Sequence, residues 1–258
     1  MGRWIKISSY KCTRFAPDAH NDFLPPQAPG SALAPFCPSH GPMPQTAVIV
    51  LDFETTGHSP AFGDRPIEVG AVRIENGMMV DRFQALMNPG FTISWFIESL
   101  TGISNQLVAQ APDCEEVMAR FADWIGETPL VAHNAGFDSK FLDAELARIG
   151  RERVNPMACT VLAARRLFPE APNHRLATLV RHLNIFTTGT FHRALADAEM
   201  TGRLWIAMTD LLRDRYQLEK VDFALMQALT RIARTKVDRF IRASIESQKM
   251  APSPPAKA

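Results

Sequence analysis

Cysteine is scarce in this 258-residue chain, and none of the four is placed for chemistry. Cys12, Cys37, Cys114 and Cys159 are far apart, with no CxxC pair and no histidine at metal-ligand spacing. That spacing excludes a disulfide framework and a cysteine-built zinc module, and reads as reduced thiols in a cytosolic protein. Long apolar runs are absent as well. No segment approaches the roughly 20 apolar residues that span a bilayer. The opening MGRWIKISSYKC has basic residues but no apolar stretch of signal-peptide length. A soluble, cytoplasmic protein with no membrane partner is expected. No internal repeat is present, and no surplus of either charge, the formal net charge being +1.

The near-neutral total hides an uneven distribution. Residues 47–210 carry 14 Lys/Arg against 20 Asp/Glu, whereas residues 211–250 carry 9 against 5. An acidic body opposes holding a polyanion by charge alone, unless metal ions neutralise part of it. Residues 1–46 contain eight prolines and no period, so a disordered extension is expected, with Met43 as a candidate alternative start. Residues 251–258 read as a disordered tail.

From Ala47 the pattern changes. Ala47 to Phe53, Ile67 to Ile74 and Met79 to Leu86 read as three antiparallel strands, the last two joined through a turn at Glu75-Asn76-Gly77. A helix at Cys114 to Ile125, a short strand at Pro129 to Ala132 and a helix from Gly136 to Ile149 follow. Further helices are expected at Ala158 to Phe168, Arg175 to Leu183 and Ala194 to Leu212. The order predicts an α/β fold, a mixed sheet flanked by helices, over residues 47–210. Residues 211–250 predict a helical extension, one amphipathic helix running to about Ile245. Val221, Leu225, Leu229, Ile232, Ala233 and Phe240 form its apolar stripe, and Lys220, Arg231, Arg234 and Arg242 its basic face.

The stretch LDFETTG ends the first strand. Alternation puts Asp52 and Glu54 on one face and Phe53 on the other. Two carboxylates that close repel unless a cation lies between them, and Mg²⁺ favours carboxylate oxygens, water and phosphate oxygens. Gly57 lets the chain turn away, leaving the Thr55 and Thr56 amides and hydroxyls facing the metal side. Alone, such a pair is shared with exposed strand ends. The stretch VAHNAGFD adds Asp138 in the first turn of a helix, where a capping role is the alternative. HRALADA then adds His192 and Asp197. Five helical residues turn roughly 500°, so His192 belongs to the loop before the helix that carries Asp197. Ala194, Ala196 and Ala198 keep that helix thin enough for close approach to the sheet.

In this order, the DxE strand end, HNxxFD and HxxxxD resemble the three motifs of the DEDDh exonuclease superfamily, which includes the proofreading epsilon subunit of bacterial DNA polymerase III. The segments PIEVGAV, IESLTGIS, AARRLFP and LATL extend the likeness over roughly residues 47 to 208. The resemblance implies a ribonuclease H-like fold and two Mg²⁺ or Mn²⁺ ions held by Asp52, Glu54, Asp138 and Asp197. It implies His192 as general base, and release of nucleoside 5′-monophosphates from a 3′ end. Thr55 and Thr56 would hold the terminal nucleotide through backbone contacts, with Phe53 and Phe137 near its sugar or base. The implied partners are single-stranded or frayed 3′ ends, DNA ahead of RNA, with a DNA polymerase or repair complex as a further partner. RNA trimming by the same chemistry, or a protein that mainly docks through residues 211–250, are the alternatives. The segment QALTRI starts like a clamp-binding motif but lacks its terminal apolar pair.

Overall fold

The computed structural model describes residues 47–186 and 192–250, with side chains through residue 246. The expectations for residues 1–46 and 251–258 lie outside the described residues. Strand β1 (Val48–Thr55) is followed by β2 (Pro66–Glu75) and β3 (Met78–Leu86). Asn76 and Gly77, both at positive φ, make the two-residue turn between β2 and β3 that matches strand twist. Helices α1 (Trp95–Thr101), α2 (Asn105–Ala109) and α3 (Cys114–Ile125) lead to β4 (Leu130–Ala132). Then come α4 (Ala135–Arg148), β5 (Met157–Cys159), α5 (Thr160–Leu167), α6 (Leu176–His182) and α7 (Ala194–Tyr216). Helices α8 (Phe223–Leu229) and α9 (Val237–Met250) close the described chain.

Among the described residues the strands form one sheet in the order β3-β2-β1-β4-β5. The β1–β2 and β2–β3 pairs are antiparallel, β1–β4 and β4–β5 parallel. Side-chain alternation along β1 divides the core into two layers. Ile49, Leu51 and Phe53 pack with Val117, Phe121 and Phe141 of α3 and α4. Val48 and Val50 pack on the opposite face with Leu204, Trp205 and Met208 of α7. Asp52 and Glu54 continue this second series, so they emerge under α7.

Helix α7 reaches the sheet at Gly70, a glycine with no role assigned in the sequence analysis. A Cβ on Gly70 would lie 2.0 Å from the Leu195 backbone nitrogen and 2.2 Å from the Ala194 carbonyl carbon. Gly70 is the register partner of Asp52, so the first turn of α7 rests beside the polar end of β1.

Two expectations about the elements need correction. Ala158 to Phe168 is not one helix: Met157–Cys159 pairs with β4 as an edge strand before α5 begins. The single helix after Leu212 is also wrong. Helix α7 ends at Tyr216, Asp222 caps α8 through the Leu225 amide at 2.8 Å, and the extended backbone of Ala233 separates α8 from α9. The apolar period survives those breaks because both short helices bury Leu225, Met226, Leu229, Val237 and Ile241. All of these except Leu225 belong to the cluster that holds Leu167, Trp205 and Leu212. Gln227 donates to the Met157 carbonyl at 3.0 Å and Leu229 is fully buried, so QALTRI is part of the packed body.

Candidate active site

Strand β1 outruns its parallel neighbour, because β4 pairs only with Ile49 and Val50. Beyond that point the chain from β4 turns into α4, and Asp138 takes up the position that another strand residue would fill. Its Oδ1 accepts from the Phe53 amide at 3.3 Å. The backbone that buries Phe53 on one side thereby orients a carboxylate toward the side of Asp52 and Glu54.

Asp197 arrives from the first turn of α7. Its Oδ2 accepts from the His192 amide at 3.0 Å, which holds His192 in a left-handed conformation at φ +66°. The exposed imidazole stands at the mouth of the cluster: one ring nitrogen and single carboxylate oxygens of Glu54 and Asp197 lie within 4.8 Å of one another. His192 thus belongs to the loop before the helix, as expected.

The start of α7 is fastened by Glu68, a fully buried residue opposite Glu54 in the β1–β2 register. Arg193 donates to both of its oxygens at 2.8 and 3.1 Å, Gln84 to Oε1 at 2.8 Å, and the Ala194 amide to Oε2 at 3.1 Å. Both oxygens of Glu68 are occupied, so it anchors the helix and is not left free as a ligand. Sequence reasoning assigned neither Glu68 nor Arg193 a role. The available signal was one acid inside the otherwise apolar run 66–72 and the arginine next to His192.

Crowding shows in the electrostatics. Burial, then Asp138, Asp197, Glu54 and Glu68, drives the Asp52 carboxyl well above the ordinary range. Burial, with Asp197 and Glu68 against the opposing Arg193, lifts Glu54 to about 8. Burial lifts Asp138 to about 7 despite the Phe53 amide. Burial also raises Asp197, against the lowering effect of His192. Such a cluster suits a hard divalent cation. The donors are oxygens from carboxylates, and the buried Oδ1 of Asp197 has no hydrogen-bond partner. These residues fit the metal-binding group that the resemblance implies.

The four residues named for the terminal nucleotide behave differently. Phe53 is buried against Phe121, ring centroids 6.2 Å apart, on the sheet face opposite the carboxylates. Phe137 is half-buried with its ring against Phe141. The Thr55 hydroxyl donates to the Gly57 carbonyl at 2.6 Å. The Thr56 amide donates to the Arg65 carbonyl at 2.9 Å, and its hydroxyl accepts from the Arg65 amide at 3.0 Å. The expectation that both hydroxyls face the metal side is therefore corrected: the loop that Gly57 opens uses them to hold itself. A Cβ on Gly57 would lie 2.3 Å from the Asp64 carboxylate, so a larger residue there would have to displace that side chain.

Sheet order and site together define a ribonuclease H-like exonuclease fold. Residues 49–205 match the family model described as exonuclease, and the chain belongs to that family. The PolC-type DNA polymerase III of Oceanobacillus iheyensis is 46% identical over 157 residues, which is 60% of this chain and 11% of that protein. Its counterpart in Bacillus cereus is 40% identical over 171 residues, 66% of this chain and 12% of that protein. The chain therefore spans only a small part of the curated relatives it matches. Among solved structures, exonuclease X in complex with 5′-overhanging duplex DNA has a TM-score of 0.56 at 24% identity, covering 71% of this chain and 99% of that one. The nuclease domain of 3′hExo, a DEDDh family member bound to rAMP, gives 0.56 and 24%, covering 69% and 97%. Both likenesses concern the fold.

Proposed function

We propose that the protein is a metal-dependent 3′ to 5′ exonuclease acting on DNA ends, in proofreading or repair, in the cytoplasm. The convergence of Asp52, Glu54, Asp138 and Asp197 under the first turn of α7 carries this reading. The likeness to PolC-type DNA polymerases favours DNA over RNA and a polymerase or repair complex as partner.

Asp52, Glu54, Asp138 and Asp197 would hold two Mg²⁺ or Mn²⁺ ions, which supply a Lewis acid for the phosphate oxygens and lower the pKa of bound water. His192, exposed at the mouth, takes a proton from the attacking water on a ring nitrogen. Because Asp197 holds the His192 backbone through the amide, the ring remains free to hand that proton to solvent. Attack on the terminal phosphodiester forms the new P–O bond and breaks the bond to the 3′ oxygen of the next nucleotide. That oxygen takes up a proton, and a nucleoside 5′-monophosphate leaves. Thr55 and Thr56 act by fixing the backbone of the loop beside the carboxylates, and Phe137 offers the half-buried ring beside Asp138.

Matched DNA and RNA oligonucleotides of one sequence test the assignment. Faster release of 5′-monophosphates from DNA is expected; faster release from RNA would move the protein to RNA trimming. No release from either would contradict the reading.

A further inference from the structure

The parallel strands β1, β4 and β5 all end at the edge where the carboxylates lie, and ligands of such sheets bind beyond those ends where strand order reverses. A second feature occupies this edge next to the site. A cleft of about 530 Å³ opens between the chain leaving β4, the first turn of α5 and the segment entering α6. His133 and Asn134 form one wall, and Arg165, His174 and Arg175 the other. Asn134 precedes α4, the helix that carries Asp138 in its first turn, so cleft and carboxylates share one junction.

The cleft walls are tied together. One ring nitrogen of His133 is 2.9 Å from the Thr160 hydroxyl and the other 3.1 Å from the His174 carbonyl. His174 in turn reaches the Phe168 carbonyl at 3.1 Å. Burial drives the His133 ring down to about 4, so at neutral pH it is an uncharged strut. The charge comes from Arg165 and Arg175. Both are exposed, and among the described residues neither guanidinium has an ionic or hydrogen-bonded partner. By contrast, Arg65, Arg82, Arg151, Arg153 and Arg193 of the acidic stretch 47–210 all hold carboxylates.

We infer that this cleft binds the phosphate backbone of the single strand leading to the 3′ end, with Arg165 and Arg175 on its phosphates. This rests on the exonuclease reading and deepens it. Two free cations at the edge of an acidic body would let it hold a polyanion whose end enters a carboxylate cluster. Longer strands should then be held more tightly than a dinucleotide, whose single phosphodiester is the one placed at the carboxylates.

The test compares wild type with the double variant Arg165→Ala/Arg175→Ala, and with Arg165→Lys/Arg175→Lys. Hydrolysis of a thymidine dinucleotide and a twelve-nucleotide oligothymidylate is measured with Mg²⁺, and fluorescence anisotropy of the labelled twelve-mer in EDTA. For the alanine variant, the twelve-mer KM and Kd should rise on the order of tenfold, with the salt dependence of log affinity shallower by about 1.4. Dinucleotide turnover should stay within about twofold, and the lysine variant should regain most of the lost affinity. Equal loss on both substrates would mean that the arginines act through the fold, and unchanged twelve-mer affinity would mean that the cleft is not on the strand's path; either overturns the inference. A wild type that cleaves nothing, yet loses strand binding in the alanine variant, would sink the exonuclease reading while leaving the cleft assignment standing.

Discussion

Two carboxylates of the cluster are held by backbone amides. Asp138 has the Phe53 amide and Asp197 the His192 amide, and both remain above the ordinary carboxylate range. A folded-state pKa raised above the unfolded value contributes stability that is complete below about pH 4 and disappears as pH rises through the folded value. For Glu54 at about 8 and Asp138 at about 7, that loss falls between roughly pH 4 and 8. A divalent cation bound there would replace the protons. Thermal denaturation should therefore show Mg²⁺ raising Tm by on the order of 5 °C at pH 8 and by clearly less at pH 6. The same rise at both values would contradict the cluster's electrostatics. Asp52→Asn should raise the Tm of the metal-free protein at pH 8 by removing one repelling charge, while lowering turnover by roughly 10³-fold. His192→Ala should lower turnover by about 10² to 10⁴-fold with Mn²⁺ affinity, read by calorimetry, nearly unchanged.

Among the elements, α7 decides whether the site exists. Gly70 allows its contact with β2, and Glu68 with Arg193 fixes where it starts. Gly70→Ala forces the helix off the sheet, with an expected loss of about 2 kcal/mol or more in urea denaturation and of most activity. Wild-type stability in that variant would show that the helix has room to move. Arg193→Ala leaves Glu68 buried without its cation. The loss should be about 2 kcal/mol, because the Arg193 side chain is 42% exposed and solvent takes over part of its role. The polar end of β1 was legible in the sequence because alternation placed Asp52 and Glu54 after Val48 and Val50. The alanines of α7 account for one side of its approach, Ala194 and Ala198 being fully buried, while Gly70 on the opposite element supplies the other side. A close contact across 125 residues leaves no periodic trace. Strand β5, only three residues long, was hidden by the helix that follows it.

For the molecule as a whole, the basic end is not an appendage. Met226, Leu229, Val237 and Ile241 complete the layer around Trp205 and Met208, and Arg166 donates to the Ile232 carbonyl at 2.8 Å. Truncation after Tyr216 should expose that layer and yield a protein that binds hydrophobic dyes and aggregates; a monodisperse truncated protein at wild-type Tm would contradict this. The break between α8 and α9 was not legible, because apolar spacing persisted through the turn. Among the described residues no helix is long and apolar enough to cross a membrane.

The most direct measurement is a time course on 5′-labelled single-stranded DNA, with and without Mg²⁺, beside Asp197→Asn. A Mg²⁺-dependent ladder that shortens one nucleotide at a time from the 3′ end, and is absent in Asp197→Asn, is the predicted result. Cleavage at internal positions, or an equal ladder from Asp197→Asn, would contradict the assignment of this carboxylate cluster to end-directed hydrolysis.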